Sequence, residues 1–583
     1  MAANRELGTS RGAAVGSVIR TVAGFALLAF VSLTDANAQT TPTPEHALST
    51  DTRVKTLYDA KQFARAAELA ASDPSPSETV LLYRGLSLTR LNQLAAAEQA
   101  FGNGAEKFPK DKRFPLELAG IAYRQKNTAR AKRLLHQALA LDPHDTYGND
   151  FLGTLYSLDG NLAAALFYWN RIGKPVLQNV HYDPAPPLQP VLRERTFALS
   201  DGQRLTAERL RWAEANADRL HVLADVQYDL APGKQDDRYD MVVRTVPVAQ
   251  PLAGWLGRIL PSLRQLPYQG LAYDAYNIRG AAVNFNVLGR WDPDKQRVFA
   301  QLSAPWRENP RSEYRFHVDL RNETWNLRSN FFSFPGQLND VHLRKAQLGG
   351  EVALGLSSKL QWTLGGLIAY RDYGRTPRDL LFARGWSAEI NNRFDYLLWS
   401  WPDHRIRVDS FASLRTGRFF SQTASRLITP RLGARLRWFP EAKGDRYIVT
   451  ARVGAGRTFG SVPLDELFTL GIERDNDRDL WLRGTVGTRD GRKGSAPMGR
   501  EYAIGQTDFS RRLFEAPLVK AYLGPFFDVG TVGDPSHRYG SHGVLYDTGL
   551  QATVQTLGSV KVTIVYGRDV VNGRGVFYTA VSR

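Results

Sequence analysis

Residues 314–321 read Tyr-Arg-Phe-His-Val-Asp-Leu-Arg, so that apolar and polar side chains alternate without interruption. A period of two places every apolar side chain on one face of an extended strand and every polar one on the other. The same alternation recurs at 283–287, 447–454 and 560–567. From about residue 281 onward, the chain therefore predicts an antiparallel sheet with one apolar and one mostly polar face.

The lengths of these strands favour a transmembrane β-barrel over a soluble β-sandwich, which is the alternative. Strands of soluble proteins average about 5–6 residues, whereas many here run to about 14 residues. The connections near the C-terminus alternate between long (461–501 and 533–543) and short (516–517 and 557–558). Outer-membrane barrels have short periplasmic turns and long external loops. We expect an outer-membrane barrel over 281–583 with 14 to 16 strands. About 14 strands can be counted in the sequence.

The first 38 residues predict export from the cytoplasm. Arg5, Arg11 and Arg20 precede an apolar run from Val22 to Leu33, and small residues follow at 36–38. This pattern is typical of a cleaved secretory signal peptide. The apolar run has 12 residues, too few to span a bilayer, which needs about 20. We therefore expect a signal peptide over 1–38 and a mature chain that is either soluble or a membrane barrel.

A helical repeat is predicted over residues 39–180. Small and large apolar residues recur there every 34 residues. These packing positions are Gly85, Ala97, Phe101, Ala131, Leu135, Gly153, Ala165 and Trp169. The small residues would let two helices of a hairpin approach and the large ones would fill the groove between repeats. The segment resembles tetratricopeptide repeats, and a generic helical bundle is the alternative. Such a solenoid offers a concave docking surface for protein segments.

A small α/β segment separates the repeats from the barrel, at about 190–248. A strand is predicted at 195–199, a helix at 206–224, and two more strands at 226–230 and 239–243. This order resembles a POTRA domain, a periplasmic module that precedes many outer-membrane assembly barrels; an unrelated linker domain is the alternative. A linker at 249–280 follows, with an amphipathic stretch at 251–266 that suits a membrane interface or the underside of the barrel.

The charge and the missing residue types exclude several classes of function. The chain carries 75 Lys and Arg against 58 Asp and Glu, a net charge of +17, but the basic residues are dispersed. We expect them to line a wet barrel interior, and we expect no nucleic-acid partner. The absence of cysteine excludes disulfides and thiolate metal sites. Because no catalytic motif stands out, we expect no enzyme activity, no cofactor and no metal.

Three C-terminal motifs resemble the BamA/TamA superfamily of outer-membrane assembly and translocation proteins. They are Asp479-Leu-Trp-Leu-Arg-Gly-Thr485 in the longest loop, Tyr502-Ala-Ile-Gly-Gln-Thr-Asp-Phe509, and Phe526-Phe-Asp-Val-Gly530. The resemblance implies that the loop tip folds back into the barrel and that Arg483 meets Asp508 and Asp528 on the next two strands. Leu482, Gly484 and Gly530 complete this predicted lumen loop lock. Independently, alternation along its strand places Asp528 on the polar face, where a buried carboxylate needs a cation.

The sequence also departs from the family. Thr485 stands where the family prefers an aromatic residue, the final strand ends Val581-Ser582-Arg583 without a terminal aromatic, and about 14 strands is below the family's 16. The resemblance covers about 281–583 and is sharp only from 465 onward.

The resemblance implies an outer-membrane protein that inserts or translocates client polypeptides, with its N-terminal domains in the periplasm. Its expected partners are outer-membrane lipid and, through the repeats, client proteins and periplasmic proteins. A repeat-plus-barrel pore that exports exopolysaccharide or a surface lipoprotein is the alternative.

Overall fold

The structure is a computed structural model of the whole chain. It describes residues 49–235, 237–248, 265–266, 268–327, 338–374, 376, 380–420, 425–460, 462–473, 475, 477–516, 519–534, 543–556 and 561–582. The predicted signal peptide and nearly all of the predicted amphipathic stretch lie outside these residues. The described residues divide into two compact units, one comprising those between 49 and 155 with those of 231–239, and the other comprising those of 156–230 with those from 240 onward.

Ten α-helices occupy the described residues before the barrel. They are α1 (Thr50–Asp59), α2 (Phe63–Ala71), α3 (Glu78–Arg90), α4 (Leu94–Lys107), α5 (Arg113–Arg124), α6 (Thr128–Leu141), α7 (Thr146–Leu158), α8 (Leu162–Trp169), α9 (Pro190–Phe197) and α10 (Ala207–Leu220). The first eight follow one another in short hairpins, as the 34-residue period predicts. The helical part of the fold prediction is therefore confirmed.

The small residues of the repeat lie where neighbouring helices touch. A Cβ atom added to Gly85 would lie 2.3 Å from the Phe101 ring, and one added to Gly104 would lie 2.2 Å from the Phe114 ring. Ala97, Ala131 and Leu135 are completely buried. Ala165 and Trp169 in α8 are buried as well. Close approach at the small residues thus lets the large rings fill the space between helices.

The α/β segment contains a three-stranded sheet formed by β1 (Val176–Tyr182), β2 (Leu223–Pro232) and β3 (Arg238–Pro247), in the order β1-β3-β2. The strand predicted at 195–199 is wrong, because those residues end α9 and leave it at Ala198 with a positive φ. The first strand lies earlier, at Val176, so that residues 176–180, which we assigned to the repeats, belong to the sheet. The five-residue stretch at 195–199 was too short to distinguish a strand from a helix end.

Fifteen long strands of the described residues form a closed barrel. They are β4 (Gly270–Ile278), β5 (Val283–Asp292), β6 (Lys295–Trp306), β7 (Asn309–Leu327), β8 (Leu338–Gly355), β9 (Leu360–Asp372), β10 (Gly385–Trp401), β11 (Ile406–Phe419), β12 (Ser425–Trp438), β13 (Tyr447–Arg457), β14 (Glu501–Ala516), β15 (Val519–Gly533), β16 (Leu545–Thr556), β17 (Lys561–Asp569) and β18 (Arg574–Ser582). Each pairs with the next in the chain, and β18 is followed by β4 in the closed order. The barrel prediction is confirmed, but its predicted start at residue 281 is wrong, because β4 (Gly270–Ile278) lies in the stretch that we assigned to the linker.

The two ends of the barrel differ in the lengths of their connections. At the short-turn end the longest connection is 439–446, whereas the long-loop end carries 328–337, 373–384 and 458–500. The connection 458–500 also contributes two-residue strands that pair with the barrel or with each other. This asymmetry is typical of outer-membrane barrels.

The outer face of the barrel is apolar and carries aromatic side chains near both ends. Trp399 and Trp401 are exposed near the short-turn end, and Trp386 and Phe420 near the long-loop end. Such a band with aromatic rims suits a bilayer with two water interfaces. In the part of the chain that the structure describes, no helix is long and apolar enough to span a membrane.

The α/β segment packs against the short-turn end of the barrel. The Asn284 side-chain amide donates a 2.9 Å hydrogen bond to the carbonyl of Leu220 at the end of α10. Arg219 donates to the Pro310 carbonyl at 2.8 Å. Leu188, Leu220 and Ala282 belong to one buried apolar cluster. The barrel mouth at this end is thus partly covered by α10 and its neighbours.

Candidate functional site

The connection 458–500 between β13 and β14, called the inward loop below, folds back into the barrel. Its apolar residues pack on inward-facing residues of β14, β15 and β16. This buried cluster comprises Phe468, Leu470, Leu480, Leu482, Tyr502, Ile504, Val532 and Leu545. A loop of 43 residues at the open end of a barrel would be expected in solvent, so burial of its apolar residues accounts for the inward course.

Arg483 lies at the tip of the inward loop, between the two aspartates that the family resemblance pairs with it. Its Nε donates to Asp528 Oδ2 at 2.8 Å, and its Nη1 donates to Asp508 Oδ1. Its backbone N–H also donates to Asp528, at 3.0 Å. The guanidinium stacks over the Phe526 ring at 4.0 Å. Asp528 is completely buried and Arg483 is 8% exposed, so the ion pair is shielded from water.

Gly484 lies against the barrel wall with no space for a side chain. A Cβ atom there would lie 2.4 Å from the backbone carbon of Arg568. Its N–H donates to Asp547 Oδ2 at 2.6 Å, and the Thr485 hydroxyl donates to Asp547 Oδ1 at 3.4 Å. Thr485, which departs from the family pattern, thus has a polar partner here. Asp547 is a site residue that the sequence analysis missed.

The residues flanking the tip are also held in place. Trp481 donates from Nε1 to the Glu473 carbonyl at 3.0 Å, and its own carbonyl accepts from Gln506 at 2.6 Å. Gly530, which we predicted to belong to the site, has Leu470 and Leu482 3.2 Å from the position of an added Cβ. A side chain at position 530 would therefore press on the inward loop.

A second set of ion pairs anchors the start of the inward loop. Lys345 Nζ lies 2.8 Å from Asp465 and 3.0 Å from Glu466. Arg371 pairs with both carboxylates, and Arg415 lies 2.6 Å from Glu466. Burial would raise the pKa of Asp465, but Arg371 and Lys345 lower it to about 2, so the carboxylate stays charged.

A third anchor lies at Asp475, which meets cations of the opposite wall. It lies 3.0 Å from Arg290, 2.6 Å from Arg297 and 3.1 Å from Lys493 of the loop itself. These cations hold the pKa of Asp475 well below its usual range despite its burial. The basic interior that we expected is therefore present, and in this part of the lumen the acidic inward loop neutralises it.

The site thus joins three groups of charges, of which the sequence analysis identified one. The structure brings Arg483 together with both Asp508 and Asp528, and places Leu482, Gly484 and Gly530 around them. A possible signal for the other anchors was the run of acidic residues at 465, 466, 475, 477 and 479 in a basic chain. A cavity of about 700 Å³ lies below Arg483, on the side of the short turns, and is lined in part by Arg452, Arg478 and Asp508.

Comparisons with known proteins give two kinds of similarity. The tetratricopeptide repeat family model matches residues 88–155, which confirms the repeat prediction for that stretch. No curated protein sequence matches the chain significantly.

Several solved structures are similar to this chain at low sequence identity. BamA from Haemophilus ducreyi lacking POTRA domains 1–3 is 12% identical, with 70% of this chain and 84% of that chain covered and a TM-score of 0.38. CdiB from Escherichia coli is 14% identical, with 70% and 76% covered and a TM-score of 0.42. CdiB from Acinetobacter baumannii is 11% identical, with 79% and 86% covered and a TM-score of 0.38.

Proposed function

We propose that this chain is an outer-membrane barrel of the BamA/TamA type that inserts or translocates client polypeptides. The observation that carries the proposal is the buried contact of Arg483 with Asp508 and Asp528. The motifs that resemble the family imply this contact, and a barrel serving only as an open pore would not need it. On this proposal the chain binds no cofactor and catalyses no chemical reaction.

The ion pairs of the inward loop act as a latch on the barrel interior. Contacts from Arg483 reach β14 and β15, and those from Gly484 reach β16. Asp465, Glu466 and Asp475 reach strands on the opposite wall. Since these contacts together join the loop to several strands around the barrel, the loop braces the wall while the latch is closed. Release of the loop would allow the wall to deform around a client.

The wall is shortest where the first and last strands meet, and we place the client's path there. Strands β4, β17 and β18 have nine residues each, whereas β7 has 19 and β8 has 18. Because the number of inter-strand hydrogen bonds grows with strand length, parting two short strands costs less than parting two long ones. An edge freed in this way can pair with an extended segment of a client.

The N-terminal domains would receive the client in the periplasm. The repeats form a helical solenoid of the kind that binds protein segments. The sheet of β1, β2 and β3 with α9 and α10 would be the POTRA-like module, and it packs on the short-turn end. On this proposal the short turns lie in the periplasm and the long loops outside the cell. The signal peptide at 1–38 would direct the chain there.

Reconstitution into liposomes tests the proposal directly. The full chain should increase the rate at which an unfolded outer-membrane barrel polypeptide becomes protease-protected in the vesicles, or should pass a secreted polypeptide into them. Arg483→Ala should reduce this rate while the barrel itself still inserts. Arg457→Ala is the matched control, because Arg457 pairs with Glu501 on the exposed face. Failure of the unmodified chain to act on either polypeptide would contradict the proposal.

Crosslinking from the repeats identifies the client class. A photoreactive residue at Tyr147, which is exposed on α7, should capture an unfolded outer-membrane polypeptide in cells. Capture of a lipoprotein or of a polysaccharide-synthesis protein would instead favour the export-pore alternative. The Arg483→Ala variant should leave this capture unchanged, because the docking step precedes the barrel step.

A further inference from the structure

Two arginines face each other on the outer surface of the barrel. Arg418 on β11 and Arg426 on β12 are directly opposite in the antiparallel register, and each lies one residue from the strand end at the long-loop end. Both side chains are exposed. Like charges in directly opposite positions destabilise a sheet. A stabilising interaction with another group is therefore needed to account for this pair of arginines.

Neither arginine has a carboxylate partner within salt-bridge distance among the described residues. The Arg418 guanidinium lies over the Phe420 ring, 5.6 Å from its centroid. Two other exposed arginines at the same end do have partners: Arg457 lies 3.6 Å from Glu501 and Arg384 lies 3.8 Å from Asp372. At this place on the outer rim, two arginines that are directly opposite each other therefore have no carboxylate partner among the described residues.

An apolar groove begins at this arginine pair and extends toward the middle of the barrel wall. It has a volume of about 620 Å³ and is lined by Phe316, Leu348, Ile368, Ile390 and both arginines. Its floor is low because Gly350 and Gly366 are direct cross-strand neighbours without side chains. Beside Arg418 the neighbouring residue is the small Ala388. A Cβ atom added to Gly366 would meet no atom within 4 Å.

We propose that the groove and the arginine pair bind a phosphorylated glycolipid of the outer leaflet. One acyl chain would lie in the groove, and a phosphate would accept hydrogen bonds from both guanidiniums. Guanidinium groups match phosphate oxygens in pairs, and the phosphate removes the repulsion between the arginines. The strand end near Trp386 and Phe420 is at the depth of lipid headgroups. The choice of leaflet rests on the proposed orientation, with long loops outside.

Lipid retention measures this site without any client activity. The full chain in phosphatidylcholine nanodiscs would be supplied with diphosphorylated lipid A and then transferred to detergent. Native mass spectrometry would count the lipid A molecules that remain bound to each protein. We expect the unmodified chain to retain lipid A. Arg418→Gln and Arg426→Gln should each reduce retention about fivefold, the contribution expected of one arginine to an anionic lipid at a membrane surface.

Two further variants separate the groove from the arginines and from general charge. Gly366→Leu should reduce retention by filling the groove, although both arginines remain. Arg457→Gln should retain lipid A as the unmodified chain does, because that arginine is already paired. Heat-resistant electrophoretic mobility would establish that each variant is a folded barrel. Equal retention by Arg418→Gln, Arg426→Gln and the unmodified chain would overturn the proposal, and so would stronger retention of phosphatidylglycerol than of lipid A.

Discussion

A single guanidinium, that of Arg483, makes ionic contact with two strands that are adjacent in the barrel wall. Burial alone would lower the pKa of this arginine, but Asp528 and Asp508 raise it, so the group remains a cation. A buried charge is tolerated only with such partners. The two carboxylates and the arginine therefore depend on one another to remain charged in the barrel interior.

Loss of either partner of this pair should be costly. Arg483→Ala or Asp528→Asn is expected to lower the free energy of unfolding by about 3–5 kcal/mol, because the remaining charge is stranded in the interior. The double variant should lose less than the sum of the two. Urea unfolding in detergent measures this. Arg457→Ala, which breaks an exposed pair, should cost less than about 1 kcal/mol. Additive losses would contradict a shared interaction.

The Asp465 anchor should hold the inward loop as firmly as Arg483 does. Asp465→Asn removes one of the carboxylate charges that neutralise Arg371, which is completely buried. Because the chain has no cysteine, Ser495→Cys can report on the loop, since Ser495 is 8% exposed. We expect labelling of Cys at 495 to accelerate in Asp465→Asn and not in Asp490→Asn, whose carboxylate is exposed on the same loop. Equal acceleration in both would contradict the anchor.

The same anchor should be insensitive to mild acid. The folded pKa of Asp465 is about 2, below its unfolded value of about 3.9. The stabilisation of the inward loop by the Asp465 carboxylate is therefore complete above about pH 4 and is lost as the pH falls toward 2. Labelling at position 495, normalised at each pH to Val571→Cys in an exposed turn, should be equally slow at pH 7 and pH 5. Release of the loop between these values would contradict the ionic anchor.

At the level of elements, the repeat depends on close helix contacts at its small residues. Gly85→Ala would place a methyl group 2.3 Å from the Phe101 ring, so we expect overpacking at a cost of about 1–3 kcal/mol. Gly102→Ala is the matched control, because its Cβ would meet no atom within 4 Å. That variant should gain about 0.5–1 kcal/mol from helix propensity. Thermal unfolding of the repeat helices, followed by circular dichroism, measures both, and equal effects would contradict the packing argument.

At the level of the whole molecule, the connection lengths predict the orientation in the membrane. Val571→Cys lies in a turn at the long-loop end and Lys359→Cys in a turn at the short-turn end. A membrane-impermeant thiol reagent should label position 571 in intact cells and position 359 only after the outer membrane is permeabilised. The reverse pattern would contradict the orientation, and with it the proposed outer-leaflet lipid site.

Local patterns in the sequence were sufficient for most of the architecture. Alternation such as that at 314–321 predicts the barrel strands, because the direction of a side chain in a strand depends only on its position along that strand. The 34-residue period predicts the helical hairpins, because small and large residues recur where the helices of each repeat pack. Arg483, Asp508 and Asp528 could be proposed because the motif resemblance names them and alternation places Asp528 inward. Residues 195–199 were misassigned because so short a stretch fits both a strand and a helix end.

The anchors at Asp465 and Asp475 were decided only by the tertiary structure. Arg371 precedes Asp465 by 94 residues, and Arg290 precedes Asp475 by 185. No local pattern links such residues, since they meet only when the barrel closes and the loop enters it. The groove beside Arg418 and Arg426 was also decided only by the tertiary structure. Its glycines come from two other strands, and only the register between those strands makes them neighbours. The sequence by itself determined which way each side chain points, and closure of the sheet decided which side chains meet.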